Sequence, residues 1–410
     1  MRDTDLYRHL LGLVAPWSVE RVELDIATQR VDVWVEHPKG HKWPCPECGQ
    51  EGSLHDHAEE RVWRHLDSCQ FQTFLHSQPP RMNCSKHGVR QVKLPWAEPH
   101  SRFTLLFERF AIDVLRQTNT QAAREILGIS WDEAWHLMER AVNRGMSRKP
   151  AEVVPLLGVD EKTAGKGQQN YVTIISDLEN SKVEGVTFGR DNVSLESYFD
   201  SLTEEQLAGI EAVAMDMSKS YISATCKKLP NGRDKIVFDR YHLMQHINQA
   251  VDTVRKEEHK ALGKGSVLAG TKYVWLYAYE NLPDRHWPTL WQLRAGDLKT
   301  ARAWAIKENI RHLWSYKSQV WAEKFWKKWY FWATHSRLEP IRKAAKTLKD
   351  HYYGIANFFR HRISNGPAEG INSRIETLWK SACGFRNKER FRTVILFHLG
   401  GLDLYPVVTH

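Results

Sequence analysis

Between residues 151 and 255 the chain places short apolar runs and amphipathic runs in an order that few folds accommodate. Val153-Val154-Pro155-Leu156-Leu157-Gly158-Val159 has the continuous apolar character of a buried strand, and Tyr171-Val172-Thr173-Ile174-Ile175 is a second such run. Val183-Glu184-Gly185-Val186-Thr187-Phe188 alternates as a third strand should. A helix is expected from about Ser194 to Leu207, followed by a fourth strand at Ala212–Met215 and a fifth at Lys235–Phe238.

Three hairpin-like strands, then helix-strand-helix-strand, is the order of a ribonuclease-H-like core, and it decides how the acidic residues are read. Asp160 ends the first strand and Asp216 ends the fourth. These strands are neighbours in such a sheet, so the two carboxylates can converge on a shared metal. Asp239 ends the fifth strand, with His242 three residues on. Asp239 reads as a metal ligand or a partner of one, and His242 as a group that orders the site or contacts a phosphate. A structural strand-to-helix junction is the plainer alternative. A supporting role is favoured for both, because Asp216 lies on the strand that conventionally gives the second acid. Glu369 lies in Ser364-Asn365-Gly366-Pro367-Ala368-Glu369-Gly370-Ile371-Asn372. Pro367 suits the first position of a helix, which puts Glu369 in its first turn. Taken singly, each Asp reads as a turn or cap and Glu369 as compensation of the helix dipole. Together, in this order, the three favour a metal site.

Ahead of this zone, Cys45-Pro46-Glu47-Cys48-Gly49 and Cys84-Ser85-Lys86-His87-Gly88 form two knuckles. Four soft or borderline donors so spaced can surround Zn²⁺ tetrahedrally and leave no open position, which makes the site structural. Cys69, His55 and His57 compete as ligands. A trihelical unit follows. Phe103, Leu106, Phe107, Phe110 and Val114 make one helical stripe, and Thr120–Leu127 a second helix. Gly128-Ile129 makes the turn, and Ser130-Trp131-Asp132-Glu133 is a capping box opening a third helix with Ala134, Trp135, Met138 and Val142 inward. Such a helix-turn-helix can lay its last helix in the major groove; a plain helical hairpin between domains is the alternative.

The remainder divides the chain into zones: 1–100 with the zinc ribbon, 101–150 with the helix-turn-helix, 151–255 as the first part of the core, 256–362 as a helical insertion, and 363–410 as the core's last helix and tail. The fold class expected is a multidomain α+β protein whose α/β catalytic core is split by that insertion. Between Asp216 and Glu369 lie 152 residues, far more than closing the core needs. Nine of the seventeen tryptophans fall between Trp275 and Trp332. Trp314, Trp321, Phe325, Trp329 and Trp332 are read as one packing face. After Glu369, a run with Arg374, Lys380, Arg386, Lys388, Arg390 and Arg392 is expected to contact phosphates.

Charge agrees with a polyanionic partner: 58 Lys and Arg stand against 49 Asp and Glu, a net charge of +9. No apolar stretch approaches the ~20 residues of a membrane span, and no signal-peptide core follows the N-terminus. A bacterial cytoplasmic, nucleoid-associated protein without a membrane partner is expected. Clustered cysteines in a reducing compartment suggest metal rather than disulfides.

The chain resembles the DDE transposases of the ISL-three insertion-sequence family over nearly its whole length. Gly158-Val159-Asp160-Glu161, Met215-Asp216-Met217-Ser218-Lys219-Ser220-Tyr221, Phe238-Asp239-Arg240-Tyr241-His242 and Asn365-Gly366-Pro367-Ala368-Glu369-Gly370-Ile371-Asn372 resemble that family's motifs. The resemblance implies Asp160, Asp216 and Glu369 as catalytic triad, holding two Mg²⁺ or Mn²⁺ ions for phosphoryl transfer on DNA. It implies cleavage at the terminal repeats of an insertion sequence and joining of 3′-hydroxyl ends to target DNA. Two ends must be paired, so a homodimer is expected. His87 stands where a cysteine is usual in the family, so its place as fourth ligand rests on donor chemistry alone. Two rivals remain: a degenerate transposase kept as a sequence-specific DNA-binding regulator, which ought to have lost an acid, and a nuclease that only hydrolyses.

Overall fold

The computed structural model describes residues 2–163, 165, 170–263 and 265–407. The chain forms two compact units, one running to Lys149 and taking in the segment from Leu402, the other Pro150–Gly401. No helix among the described residues is long and apolar enough to cross a membrane.

In the first unit, α1 (Asp3–Leu10) precedes β1 (Ser18–Asp25), β2 (Arg30–Glu36), β3 (Trp43–Pro44), β4 (Glu51–Gly52), β5 (Leu54–His57), β6 (Arg61–Ser68), β7 (Phe71–Ser77), β8 (Pro80–Cys84) and β9 (Gly88–Gln91). A four-stranded sheet has the order β1-β2-β7-β6, and β3-β4 and β5-β8-β9 form two small sheets. Their shared core centres on tryptophans: Trp17 packs on Trp43 and Trp96 at ring-centroid distances of 5.1 and 4.7 Å.

The trihelical region is α2 (Leu105–Gln117), α3 (Thr120–Leu127) and α4 (Trp131–Arg148). Local chemistry sets its ends. The Asn119 side chain caps α3, Gly128 takes the left-handed conformation (φ 63°) that stops it, and Ser130 and Glu133 cap each other reciprocally at the start of α4. Ala134, Trp135, Met138 and Val142 face inward as expected. The expected stripe on the first helix is corrected. Because α2 starts only at Leu105, Phe103 packs from the preceding segment and the buried positions are Phe107, Ala111, Ile112 and Leu115, while Phe110 is exposed. Arg144 ties the unit together: it donates to Glu98, to the fully buried Glu108 and to the Leu404 carbonyl.

The second unit begins with β10 (Leu156–Thr163), β11 (Tyr171–Asp177) and β12 (Lys182–Phe188), then α5 (Asn192–Asp200), α6 (Glu204–Gly209), β13 (Ala212–Met215), α7 (Lys219–Lys228), α8 (Gly232–Lys235) and β14 (Ile236–Phe238). The sheet order is β12-β11-β10-β13-β14. The first three strands pair antiparallel, and β13 and β14 run parallel to β10. Two expectations change. The single helix drawn over Ser194–Leu207 is two, because Thr203 opens α6 with a capping box to Gln206. The first strand continues past Asp160 to Thr163, paired with β11, so Asp160 lies within it; only its pairing with β13 stops earlier, at Gly158–Ala214.

Helices α9 (Arg240–Leu262), α10 (Lys272–Leu276), α11 (Trp287–Arg294), α12 (Lys299–Ile310), α13 (Gln319–Thr334), α14 (Glu339–Asp350) and α15 (Tyr352–His361) follow, with a 3-10 turn at Arg311–Ser315. Their apolar faces share one core with the sheet's β10, β13 and β14. The expected single tryptophan face does not form. Trp314 lies outside α13, whose 3.6-residue period turns Ala322, Trp326, Trp329 and Ala333 inward and leaves Trp321 and Trp332 exposed. Two further helices, α16 (Gly366–Ser381) and α17 (Lys388–Leu399), return to the sheet: α16 buries Ala368, Ile371 and Ile375.

Candidate active site and metal centre

The parallel strands carry their acids to one edge of the sheet. In the register of β10 with β13, Gly158 stands beside Ala214; Asp160 and Asp216 each lie two residues further on. In the register of β13 with β14, Met215 stands beside Phe238, so Asp216 and Asp239 are the next positions of each strand. The Asp239 amide donates to the Met215 carbonyl at 2.9 Å, which extends that pairing to the acid itself. Three aspartates thus share the carboxyl end of a parallel ladder, where open α/β sheets bind ligands.

Each carboxylate is held. Asp160 accepts from the Glu161 amide through Oδ1 (2.8 Å) and from the Asn372 side-chain amide through Oδ2. Asp216 accepts from the Ser218 amide at 2.9 Å. Asp239 caps α9 by accepting from the Tyr241 amide (3.0 Å), and its other oxygen accepts from Asn365 at 3.3 Å. His242 Nε2 lies 3.8 Å from that same oxygen. Burial raises the Asp160 carboxyl above the ordinary carboxylate range, and the Asp216 charge pushes it the same way. Glu161 is raised for the same first reason, with Asp216 and Asp160 adding to the effect.

Glu369 reaches this edge through α16. The helix docks its first turn on the sheet at Gly158, where a Cβ would meet Leu178 Cδ2 at 2.7 Å and the Ala368 Cβ at 3.4 Å. Asn372 follows Glu369 by three residues on the same helix face. Exposed Glu369 lines a cavity of about 750 Å³ together with Asp239, Asn365 and Gly366. Among the described residues, no three metal-ligating side chains of this core have their donor atoms within 4.8 Å of one another. The acids are ranged along a sheet edge rather than gathered at a point. Sequence reasoning missed the two asparagines. Both stood in the motif around Glu369, Asn365 at the N-cap of α16 and Asn372 one turn after Glu369, where a polar amide reads as an ordinary cap or surface residue.

The donor set of the ribbon is compact. The ligand atoms of Cys45, Cys48, Cys84 and His87 all lie within 4.8 Å of one another. Cys45 Sγ is 3.6 Å from His87 Nδ1, Cys84 Sγ is 3.7 Å from the same nitrogen, and Cys48 Sγ is 3.7 Å from Cys84 Sγ. A tetrahedron with Zn–S of about 2.3 Å and Zn–N of about 2.05 Å has edges of about 3.6–3.8 Å, so the residues fit the ion. Backbone amides of Lys86 and His87 pull the Cys84 thiol down to about 7, towards the thiolate a metal needs. His87 Nε2 faces Glu47 at 3.6 Å, and Arg90 pairs with that carboxylate. Cys69, His55 and His57 stand outside the cluster.

Comparison with known proteins accounts for this combination of ribbon, trihelical unit and acid-edged sheet. A family model described as "Transposase" matches residues 157–395, more than half of the chain. Residues 92–142 match the helix-turn-helix domain of transposase family ISL3, and residues 41–87 the zinc-finger of transposases IS204, IS1001, IS1096 and IS1165. The chain belongs to the ISL3 family of DDE transposases. Within that family it is 25% identical to the transposase for insertion sequence element IS1557 of Mycobacterium tuberculosis, over 98% of this chain and 96% of that one. It is 25% identical to the transposase for insertion sequence element IS1001 of Bordetella parapertussis, over 94% of this chain and 97% of that one. In this ISL3 transposase the α4 face open to solvent carries Trp131, Asp132, His136, Glu139 and Asn143, while Arg140 and Arg144 are paired to Glu98 and Glu108. The basic run after Glu369 is spread: Arg374 and Lys380 on α16, Arg386 between the helices, and Lys388, Arg390 and Arg392 on α17. Lys380 and Arg392 pair with Glu376 and Glu389 at 3.1 and 3.6 Å.

Proposed function

We propose that this transposase cuts the terminal repeats of its own insertion sequence and joins the 3′-hydroxyl ends to target DNA, with Asp160, Asp216 and Glu369 as the catalytic acids. The observation that carries the reading is the register: Asp160 and Asp216 each follow by two residues the last pair, Gly158 with Ala214, of adjoining parallel strands, and the helix of Glu369 is tied to Asp160 by Asn372. Hard carboxylate donors suit Mg²⁺ or Mn²⁺, and when bound such ions activate the attacking hydroxyl and stabilise the departing 3′-oxygen. The chain's own part is positional. The Glu161 and Ser218 amides and Asn372 fix the carboxylates, and Asp239, with His242 and Asn365, orders the edge beside them. The ribbon holds Zn²⁺ structurally through Cys45, Cys48, Cys84 and His87. The ribbon and trihelical unit recognise the element ends, the basic residues from Arg374 to Arg392 contact phosphates, and a homodimer pairs the two ends in the bacterial cytoplasm.

The test is incubation of the protein with its flanking element DNA and Mg²⁺, reading end cleavage and strand transfer. Asp160→Asn, Asp216→Asn and Glu369→Gln should each abolish cleavage and leave end binding nearly intact, whereas Glu376→Gln should retain activity. Cleavage by Glu369→Gln combined with its loss in Asp239→Asn would show that the wrong acid has been chosen. Hydrolysis without strand transfer would favour a nuclease, and binding without cleavage a regulator.

A further inference from the structure

We infer that the cavity beside Glu369 is a pocket for one unpaired nucleotide of the DNA strand, its base stacked on Trp314 next to Arg240. The inference rests on the proposed reading of the chain as a DNA-cleaving enzyme and adds what lies against the reacting strand. The cavity holds about 750 Å³, within the range of about 300–1,000 Å³ for ligand pockets and too small for a duplex. One wall comes from the acid-bearing edge and the start of α9 and α16; the opposite wall comes from the helical insertion, through Tyr277, Asn281, Arg311 and Trp314.

The chemistry of the lining suits a base better than a sugar-phosphate chain. Its charges balance: Arg240 and Arg311 face Asp239 and Glu369. Arg311 is moreover engaged by Glu280 and by Glu308. With Arg311 so engaged and Glu369 assigned to the reacting centre, Arg240 is the cation left to the rest of the pocket, where a neutral heterocycle is accommodated without burying a further phosphate charge. Trp314 is only half-buried, in a 3-10 turn rather than in a packed helix, and the Arg240 guanidinium lies 5.1 Å from its ring centroid. Among the described residues Arg240 has no carboxylate within ion-pair distance, so this side of the pocket offers a half-exposed indole with a cation lying over it, the two kinds of group that single-stranded nucleic acid uses for stacking. Gln245, Asn248 and Asn281 add amide donors and acceptors, and the buried Asn248 Oδ1 has no hydrogen-bond partner. Amides of this kind can pair with the edge of a base drawn out of its helix.

The test uses the full-length, zinc-loaded protein in a chelator-free buffer without Mg²⁺ or Mn²⁺, so that it is independent of catalysis while the ribbon keeps its metal. Fluorescence anisotropy compares a blunt duplex with the same duplex carrying a three-nucleotide single-stranded end, in 5′ and in 3′ versions. The native chain should bind one of the tailed duplexes about tenfold more tightly than the blunt one. Trp314→Ala and Arg240→Gln should each remove that advantage while leaving blunt-duplex affinity unchanged, and Trp314→Phe should keep it. Trp321→Ala, on the exposed face of α13, should have no effect. Equal affinity of the native chain for blunt and tailed duplexes overturns the inference, as does an advantage that survives both Trp314→Ala and Arg240→Gln. Should Trp314→Ala fail to fold, exposed Arg240 still carries the test. If the acids prove dispensable for cleavage while tail preference persists, the catalytic assignment fails and the pocket stands.

Discussion

The side-chain amide of Asn372 donates to Oδ2 of Asp160, joining positions 212 residues apart in the chain. The bond crosses from the helix that carries Glu369 to the strand that carries Asp160, so it fixes both the carboxylate's rotation and the helix's seat. Asn372 is nearly buried, and its Oδ1 has no partner, which makes the amide's engagement with Asp160 its main constraint. If Asp160 is a metal ligand as proposed, Asn372→Ala should lower end cleavage by about 10- to 100-fold, the usual effect of removing a partner that orients such a ligand, with terminal-repeat affinity unchanged. Gel-shift and cleavage assays on one preparation read both quantities; undiminished cleavage would remove Asn372 from the site.

Removal of metal from the ribbon should be felt in the fold of the first unit before it is felt in chemistry. Cys45 and Cys84 are buried among the tryptophans and apolar strands of that unit's core, so the four donors and the core are organised together. Metal analysis should give about one Zn per chain, and Cys84→Ser should lose it. Because the ligands must be deprotonated, zinc should be released as pH falls, the sign expected when protons compete with the ion. Stripping the metal should abolish binding to element ends. A Cys84→Ser chain with full zinc content would sink the assignment.

The core's order of elements was legible in the sequence because buried strands betray themselves by continuous apolar runs. Asp216 and Asp239 fell where those runs stop. Asp160 was misjudged by a strand end: polar Asp160, Glu161 and Lys162 broke the run, yet these residues pair with Ile174, Thr173 and Val172, and backbone pairing does not require apolar side chains. The tryptophan face failed for a related reason. A spacing is compatible with several helix starts, and where a helix begins depends on tertiary packing that lies outside the local pattern. The two asparagines beside the acids were on view but carried no signal of their own, since a polar amide near a helix start is ordinarily a cap. Glu108 and Arg144 were equally silent, because only the folded unit decides which charges are buried together.

Acid should weaken the first unit through His65. Its side chain is buried on β6, with Nδ1 2.8 Å from the Thr104 hydroxyl oxygen. Burial, with the Arg64 charge adding to it, lowers His65 to about 4. The unfolded chain therefore takes up a proton near pH 6.5 that the folded chain refuses until about pH 4. Stability is unaffected above pH 6.5, falls as pH drops through that window, and levels off below it. The full difference of about 2.5 units corresponds to about 3 kcal/mol as an upper bound. Urea unfolding of native and His65→Gln chains between pH 7.5 and 4.5, at saturating zinc, should give a shallower decline for the variant. Parallel curves would mean that His65 titrates normally.

Gly158 is where the first turn of α16 meets the sheet, through Ala368, one residue before Glu369 on that helix. Its position on β10 is flanked by β13, and the space a side chain would occupy holds the tip of Leu178 and the Ala368 methyl of α16. Alanine there meets Leu178 Cδ2 at 2.7 Å, a contact that rotation of a flexible tip can relieve, while the Ala368 methyl remains at 3.4 Å. Valine adds two methyl groups to a layer packed on Ala212, Ala214 and Val237, and the stiff strand cannot yield, so α16 must lift. Overpacking of this kind typically costs about 1–3 kcal/mol, a loss a folded chain can survive. A small displacement of α16 carries Glu369 and Asn372 with it, and misplacement of a catalytic group by about 1 Å can cost about 100-fold in rate. Gly158→Ala should therefore cleave within a few-fold of the native rate, and Gly158→Val should lose cleavage by about two orders of magnitude while keeping its zinc and its affinity for element ends. Rate measurements on the two variants side by side decide the matter: equal rates would mean that the approach of α16 to the sheet does not govern the position of Glu369.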